Sequence, residues 1–226
     1  MHDKRLQAIS GMIIKGRSLA DIGTDHAYLP IYLVKNNIVP FAIATDINNF
    51  PYERAESEVK KHGLEDKIEV RLGDGLKVIS PGEVDNVVIA GMGGETITGI
   101  LEDDLKKASS FKRFIFQPMS RPEVLRRALA EKGWIVLEEK VVYENKKFFI
   151  VISAEPGGTP YFLSDLEAEV GPLILRSKSY PDFLRYYLQK YRKIVNELSN
   201  STGYEEKRLK KCYEEKIKEL EGFLYG

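Results

Sequence analysis

The sequence predicts an α/β protein: a doubly wound, mostly parallel sheet closed by an antiparallel hairpin, with a helical hairpin after it. Three observations carry this. The run Leu19-Ala20-Asp21-Ile22 passes straight into Gly23-Thr24-Asp25-His26-Ala27-Tyr28-Leu29-Pro30, the strand, tight loop and helix start of such a sheet. Apolar, strand-like runs then alternate with charged, helix-like ones as far as Glu131. Beyond Pro156-Gly157-Gly158-Thr159-Pro160 the apolar residues instead recur every three or four positions.

In order, Leu6, Ile9, Met12 and Ile13 fall at helical spacing before Gly16, which predicts a leading helix over 4–16. The first strand covers 18–22, and its helix runs from Ala27 to Asn36-Asn37. Residues 41–46 form a second strand ending on Asp46, and Pro51 opens a charged helix that stops at His62-Gly63. Alternation over 67–72 gives a third strand, closed by Gly73-Asp74-Gly75. The unbroken apolar run 84–90 suits a central strand covered on both faces. It ends in Gly91-Met92-Gly93-Gly94, with a helix expected to Lys107. Residues 114–118 are a fifth strand, and a helix from Pro122 ends before Gly133. Segments 134–143 and 148–154 then face each other across Glu144-Asn145-Lys146 as a hairpin.

The predicted domains are 1–158 and 159–226. In the second, helices near 163–178, 181–199 and 203–224 are expected. Phe183, Tyr187, Tyr191, Ile194 and Leu198 form one stripe, and Leu209, Tyr213, Ile217, Leu220 and Leu224 another. A turn at Asn200–Gly203 would pair them as a helical hairpin or short coiled coil.

Bulk properties exclude several classes. The 226 residues carry 34 basic and 34 acidic side chains, so no global field advertises nucleic acid or a membrane. A local basic face remains compatible with that balance. From residue 161 onward 12 basic side chains meet 11 acidic ones, so the second domain is nearly neutral too. One cysteine, Cys212, excludes an internal disulfide and a Cys-based zinc cluster. No charged-then-apolar leader and no apolar run near the roughly 20 residues of a membrane helix are present, so a cytoplasmic protein is expected.

Five βα units closed by an antiparallel pair are the layout of Rossmann-like class I S-adenosylmethionine-dependent methyltransferases. A nicotinamide-binding domain would carry the full G-x-G-x-x-G fingerprint, whereas the first loop here has one glycine. In this register Asp46, at the end of the second strand, can accept both hydrogen bonds of a ribose diol; its bland alternative is a helix cap. Asp74 and Gly75 are placed for an adenine amino group, or merely form a turn. Asp21, Gly23 and Asp25 surround the expected methionine end, where acids suit a cation and a missing Cβ admits close approach. His26, grouped with the cofactor-binding residues, could be a base or a substrate contact, or else a cap or packing residue, and Tyr28 is a core residue or a stacking wall. Gly91, Met92, Gly93 and Gly94 would let backbone approach a flat base, and Gln117-Pro118 would offer an amide to the same base.

Asp21–Pro30, Gly91–Gly94 and Gln117-Pro118, with the C-terminal helical hairpin, resemble the bacterial tRNA (adenine-22-N1)-methyltransferases over the whole chain. One departure is Met119, where the family carries Asn after Gln-Pro. The resemblance implies S-adenosyl-L-methionine as methyl donor, adenine 22 of the tRNA D-arm as target, and a helical hairpin that helps hold the tRNA. It carries Asp21, Gly23 and Asp25 to the methionine end, Asp46 to the ribose, Asp74 with Gly75 to the adenine, and Gly91–Gly94 to the target base. Asp25 and the glycine loop are the expected catalytic groups, acting on the positive charge that develops on the base. A monomer without metal or membrane is expected. Two alternatives stay open on the residues alone: a methyltransferase of the same fold acting on a protein or small molecule, and a non-catalytic nucleoside-binding protein.

Overall fold

A computed structural model describes residues 3–199 and 203–226. The chain forms two compact units, 1–162 and 163–226. In the first, α1 (Lys4–Ser10) is capped by Asp3, whose carboxylate accepts from the amides of Arg5 and Leu6 at 2.8 and 3.1 Å. The helix is shorter than the expected 4–16. Asn86 explains the stop: it accepts from Ile14 N–H at 2.8 Å and donates to Ile14 and Ser18 carbonyls at 3.2 and 3.1 Å. Met12 and Ile13 still enter the core, from the turn and bend that follow the helix.

The strands are β1 (Leu19–Ile22), β2 (Ala42–Asp46), β3 (Ile68–Leu72), β4 (Asn86–Gly93), β5 (Arg113–Ser120), β6 (Ile135–Glu144) and β7 (Lys147–Glu155). They form one sheet in the order β3-β2-β1-β4-β5-β7-β6. The first five are parallel, and β7 runs antiparallel to both β5 and β6. The Rossmann-like layout with its terminal hairpin is thus present. Every residue of β1 is buried, as is the start of β4, because helices cover both faces. Phe114, packed edge-on against Trp134 at 4.8 Å, anchors the β5 side of that core.

The connecting helices are α2 (Tyr28–Lys35), α3 (Asn49–Lys61), α4 (Gly94–Glu102), α5 (Leu105–Ala108) and α6 (Pro122–Glu131). Pro30 sits in the first turn of α2, where its missing N–H costs no helical bond. The single helix expected from the glycine loop to Lys107 is instead two. Asp104 starts a new one by accepting from Lys107 N–H at 3.0 Å. A further short 3-10 turn occupies Gly75–Val78.

Residues 158–161 stay with the first unit because they lie on the end of α6. Tyr161 N–H donates to Ala130 carbonyl at 3.1 Å, and a Cβ on Gly133 would stand 2.6 Å from the Gly158 oxygen. The second unit comprises α7 (Asp165–Val170), α8 (Pro172–Leu175), α9 (Pro181–Leu198) and α10 (Tyr204–Tyr225). Ser164 and Glu167 cap α7 reciprocally. The long pair α9 and α10 packs through Tyr191 on Tyr213 at 5.3 Å and Arg192 on Glu221 at 2.7 Å. Residues 200–202 of the expected turn lie outside the described residues.

Candidate active site

Sequence order reverses between β1 and β4, where the chain, having built outward through β2 and β3, returns to the other side of β1. Such a switch point opens a crevice beyond the strands' carboxyl ends. Here the crevice is a cavity of about 290 Å³. Its wall from the β1 loop is Asp21, Gly23, Thr24, Asp25, His26 and Tyr28; β4 and β5 add Ala90, Gly91 and Gln117. Helix α1 closes another side with Leu6 and Ile9, beside Asp3 and Arg5.

The loop is held rigidly. The N–H groups of Gly23 and Thr24 both donate to the Thr45 carbonyl at 2.8 Å, tying it to β2. Gly23 has φ +78°, and a Cβ there would meet the Met92 methyl carbon at 2.0 Å. The Thr24 hydroxyl accepts from Ala27 N–H at 3.1 Å and hydrogen-bonds Asp21. Ala27 takes the left-handed conformation, φ +51°, and α2 starts immediately after it. Asp21 is 7% exposed. Burial pushes its carboxyl up to about 6, and the Thr24 hydrogen bond offsets only part of that.

At the mouth, Asp25 is 3.2 Å from His26 Nε2 and 3.5 Å from Arg54 Nη1. Arg54 lies over the Phe50 ring at 3.9 Å, and His26 stacks on Tyr28 with centroids 4.8 Å apart and planes 12° from parallel. Gln117 is buried; its Nε2 donates to the Pro118 carbonyl at 3.0 Å and approaches Met119 Sδ at 3.5 Å. The amide oxygen accepts from no group among the described residues.

The glycine loop is partly strand. β4 continues through Gly93, pairing irregularly with β5 at Met92–Pro118 and Gly93–Ser120. Gly91, φ +78°, borders the cavity with open space beside it. Gly94 has a packing role, since a Cβ would stand 2.1 Å from the Arg121 carbonyl.

Seven expected site residues therefore share this cavity: Asp21, Gly23, Asp25, His26, Tyr28, Gly91 and Gln117. Met92, Gly93 and Pro118 lie on the β4–β5 pair and Gly94 opens α4; none of the four lines the cavity. Asp74 and Gly75 line a separate cavity of about 110 Å³ with Ile100 and Lys107. There Lys77 holds the Asp74 carboxylate and lies 3.3 Å from Asp103. Asp46 lies in neither cavity; its Oδ1 accepts from Asn48 N–H at 2.8 Å, leaving Oδ2 without a partner among the described residues. Thr24, Arg54 and the α1 residues escaped the sequence reading. Thr24 carried a usable signal, a hydroxyl one residue after the turn glycine.

Among the described residues no group of three or more His, Cys, Asp or Glu could hold a metal, and no helix is long and apolar enough to cross a membrane.

A family described as a methyltransferase domain matches residues 2–152. The tRNA (adenine(22)-N(1))-methyltransferase of Bacillus subtilis (strain 168) is 36% identical over 224 residues, 96% of this chain and 91% of that protein. The crystal structure of the B. subtilis M1A22 tRNA methyltransferase TrmK superposes with a TM-score of 0.87 at 32% identity, covering 99% of each chain. The Streptococcus pneumoniae protein Sp1610, in complex with S-adenosyl-L-methionine, gives 0.85 at 33% identity over 100% of both chains.

Proposed function

The chain belongs to the tRNA (adenine-22-N1)-methyltransferase family, and we infer from this that it transfers a methyl group from S-adenosylmethionine to N1 of adenine 22 in tRNA. The observation that carries the reading is the joining, in one cavity at the sheet's switch point, of a buried acid, a close-approach glycine and a buried amide.

These residues fit the cofactor. Asp21 is a desolvated carboxyl with one hydroxyl partner, suited to an ammonium group. Gly23 keeps the floor of the cavity low. Asp46 offers its unpartnered Oδ2 to a ribose hydroxyl. Asp74 would share its carboxylate between Lys77 and an adenine amino group, with Gly75 beside it. Bound there, S-adenosylmethionine supplies a methyl group on a cationic sulfur.

The target base asks little more. N1 of a neutral adenine has a free lone pair, so no general base is required and the protein's task is mainly positioning. The Gln117 amide oxygen suits the exocyclic amino group of adenine, and the Gly91 backbone borders the ring. Asp25, held at the mouth by His26 and Arg54, is the carboxylate we assign to face the base as it becomes cationic. The base must leave the tRNA arm to reach this cavity. The C-terminal unit shares in holding the tRNA.

The test is incubation of the purified protein with labelled S-adenosylmethionine and unmodified tRNA. Label in the tRNA and a reverse-transcription stop at position 22, both absent when that adenine is replaced by guanine, are expected. Label retained in the guanine-22 tRNA would move the target elsewhere.

A further inference from the structure

A second depression, of about 710 Å³, continues from the active-site cavity and shares Asp3, Leu6 and Tyr28 with it. Its remaining wall is Ile31, Tyr32, Lys35 and Asn36 on α2, with His62 from the end of α3. Resting on the tRNA reading above, we propose that this groove holds the nucleotide next to the target adenosine, its base on Tyr28 and its phosphate near Lys35 and His62.

Tyr28 is the partition between the two spaces and is 56% exposed. His26 stacks on it and lines only the smaller cavity, which leaves Tyr28 to present a ring to the groove. Turning a base out of a stacked arm unstacks its neighbour as well, and an exposed aromatic ring at the boundary replaces the lost stacking partner. At the far end Lys35 Nζ donates to His62 Nδ1 at 3.4 Å, which holds the ammonium in place with further N–H groups to offer. The acid in the wall, Asp3, is already taken: it caps α1 and pairs with Arg5 at 3.0 Å. Glu58, beside His62, is paired with Lys61 at 3.0 Å. The groove therefore has rings at one end and the Lys35 ammonium at the other, the polarity of a nucleotide. Its volume lies in the range of about 300–1,000 Å³ typical of ligand sites.

The test uses the full chain, an unmodified tRNA transcript and the same tRNA with 2-aminopurine at position 21 or 23. Tyr28→Leu should weaken tRNA affinity roughly tenfold while Tyr28→Phe stays close to wild type. Lys35→Ala should lower affinity several-fold at low salt and reduce the salt slope by about one, with S-adenosylhomocysteine binding unchanged. Wild-type protein should change the 2-aminopurine fluorescence at one of the two positions, and Tyr28→Leu should abolish that change. Unaltered affinity, slope and fluorescence in these variants, beside intact methylation of adenine 22 by wild type, would overturn the groove and leave the enzyme reading standing. A Tyr28→Leu defect confined to S-adenosylhomocysteine binding would also overturn it. Absence of any tRNA methylation by wild type would remove both.

Discussion

The Thr24 hydroxyl is bonded on two sides, taking the Ala27 amide at 3.1 Å and binding the Asp21 carboxyl. One side chain thereby fixes the start of α2 and the orientation of the buried acid. Because burial raises Asp21 to about 6 against 3.8 in the open chain, the native state keeps a proton that the unfolded state gives up between these values. Stability contributed by this group is full below about pH 4, falls as pH rises to about 6, and is flat beyond. The loss is on the order of 2–3 kcal/mol.

Asp21→Asn should therefore melt higher than wild type at pH 7 and match it near pH 4. Affinity should move the other way. A carboxylate facing an ammonium makes wild-type binding of S-adenosylhomocysteine weaken as pH drops below about 6. The Asn variant should bind weakly, without that dependence on Asp21. His26 lines the same cavity, so calorimetry on both proteins from pH 5 to 8 isolates the acid's share.

Gly23→Ala brings two penalties at different sites. The left-handed backbone costs a side chain about 1–2 kcal/mol, and the Met92 methyl must swing away. Thermal melting should show the loss. Adding Met92→Ala should return only the steric part, since the φ of +78° remains.

Much of this site was legible beforehand because buried parallel strands announce themselves. Asp21, Asp46 and the glycines stand where an apolar run stops, and the sheet does place Asp21, Gly23, Gly91 and Gln117 around one space. What escaped depends on partners far away in sequence. Asn86 cuts short α1 from 72 residues away, and Asp104 splits a helix that periodicity alone would continue. The engagement of Asp74 by Lys77, or of Asp25 by Arg54, follows from side-chain placement that no local pattern encodes. Gly94 illustrates a glycine that reads as a base contact and sits tight against the Arg121 backbone.

Arg126 and Glu139 form an ion pair at 2.7 Å, with side chains 1% and 0% exposed, that pins α6 to β6. Arg126→Met should cost about 3–5 kcal/mol, since a buried carboxylate loses this guanidinium. The double variant with Glu139→Leu should recover most of that. Chemical denaturation of the three proteins measures it.

In the C-terminal unit, Glu169 accepts from Lys216 Nζ at 2.6 Å and from the buried Tyr191 hydroxyl. Burial and the neighbouring carboxylate push the Tyr191 phenol well above its usual range, so it stays protonated. Lys216→Met should destabilise this unit by about 1–3 kcal/mol. Loss of helical signal at lower temperature, with S-adenosylhomocysteine binding intact, is the expected outcome.

The most direct measurement is single-turnover methyl transfer by Gln117→Leu at saturating tRNA. If the target base is held in the switch-point cavity by the Gln117 amide oxygen, the rate should fall about 10–100-fold while S-adenosylhomocysteine affinity and melting stay near wild type. A full rate in that variant would contradict the placement of adenine 22 against β5.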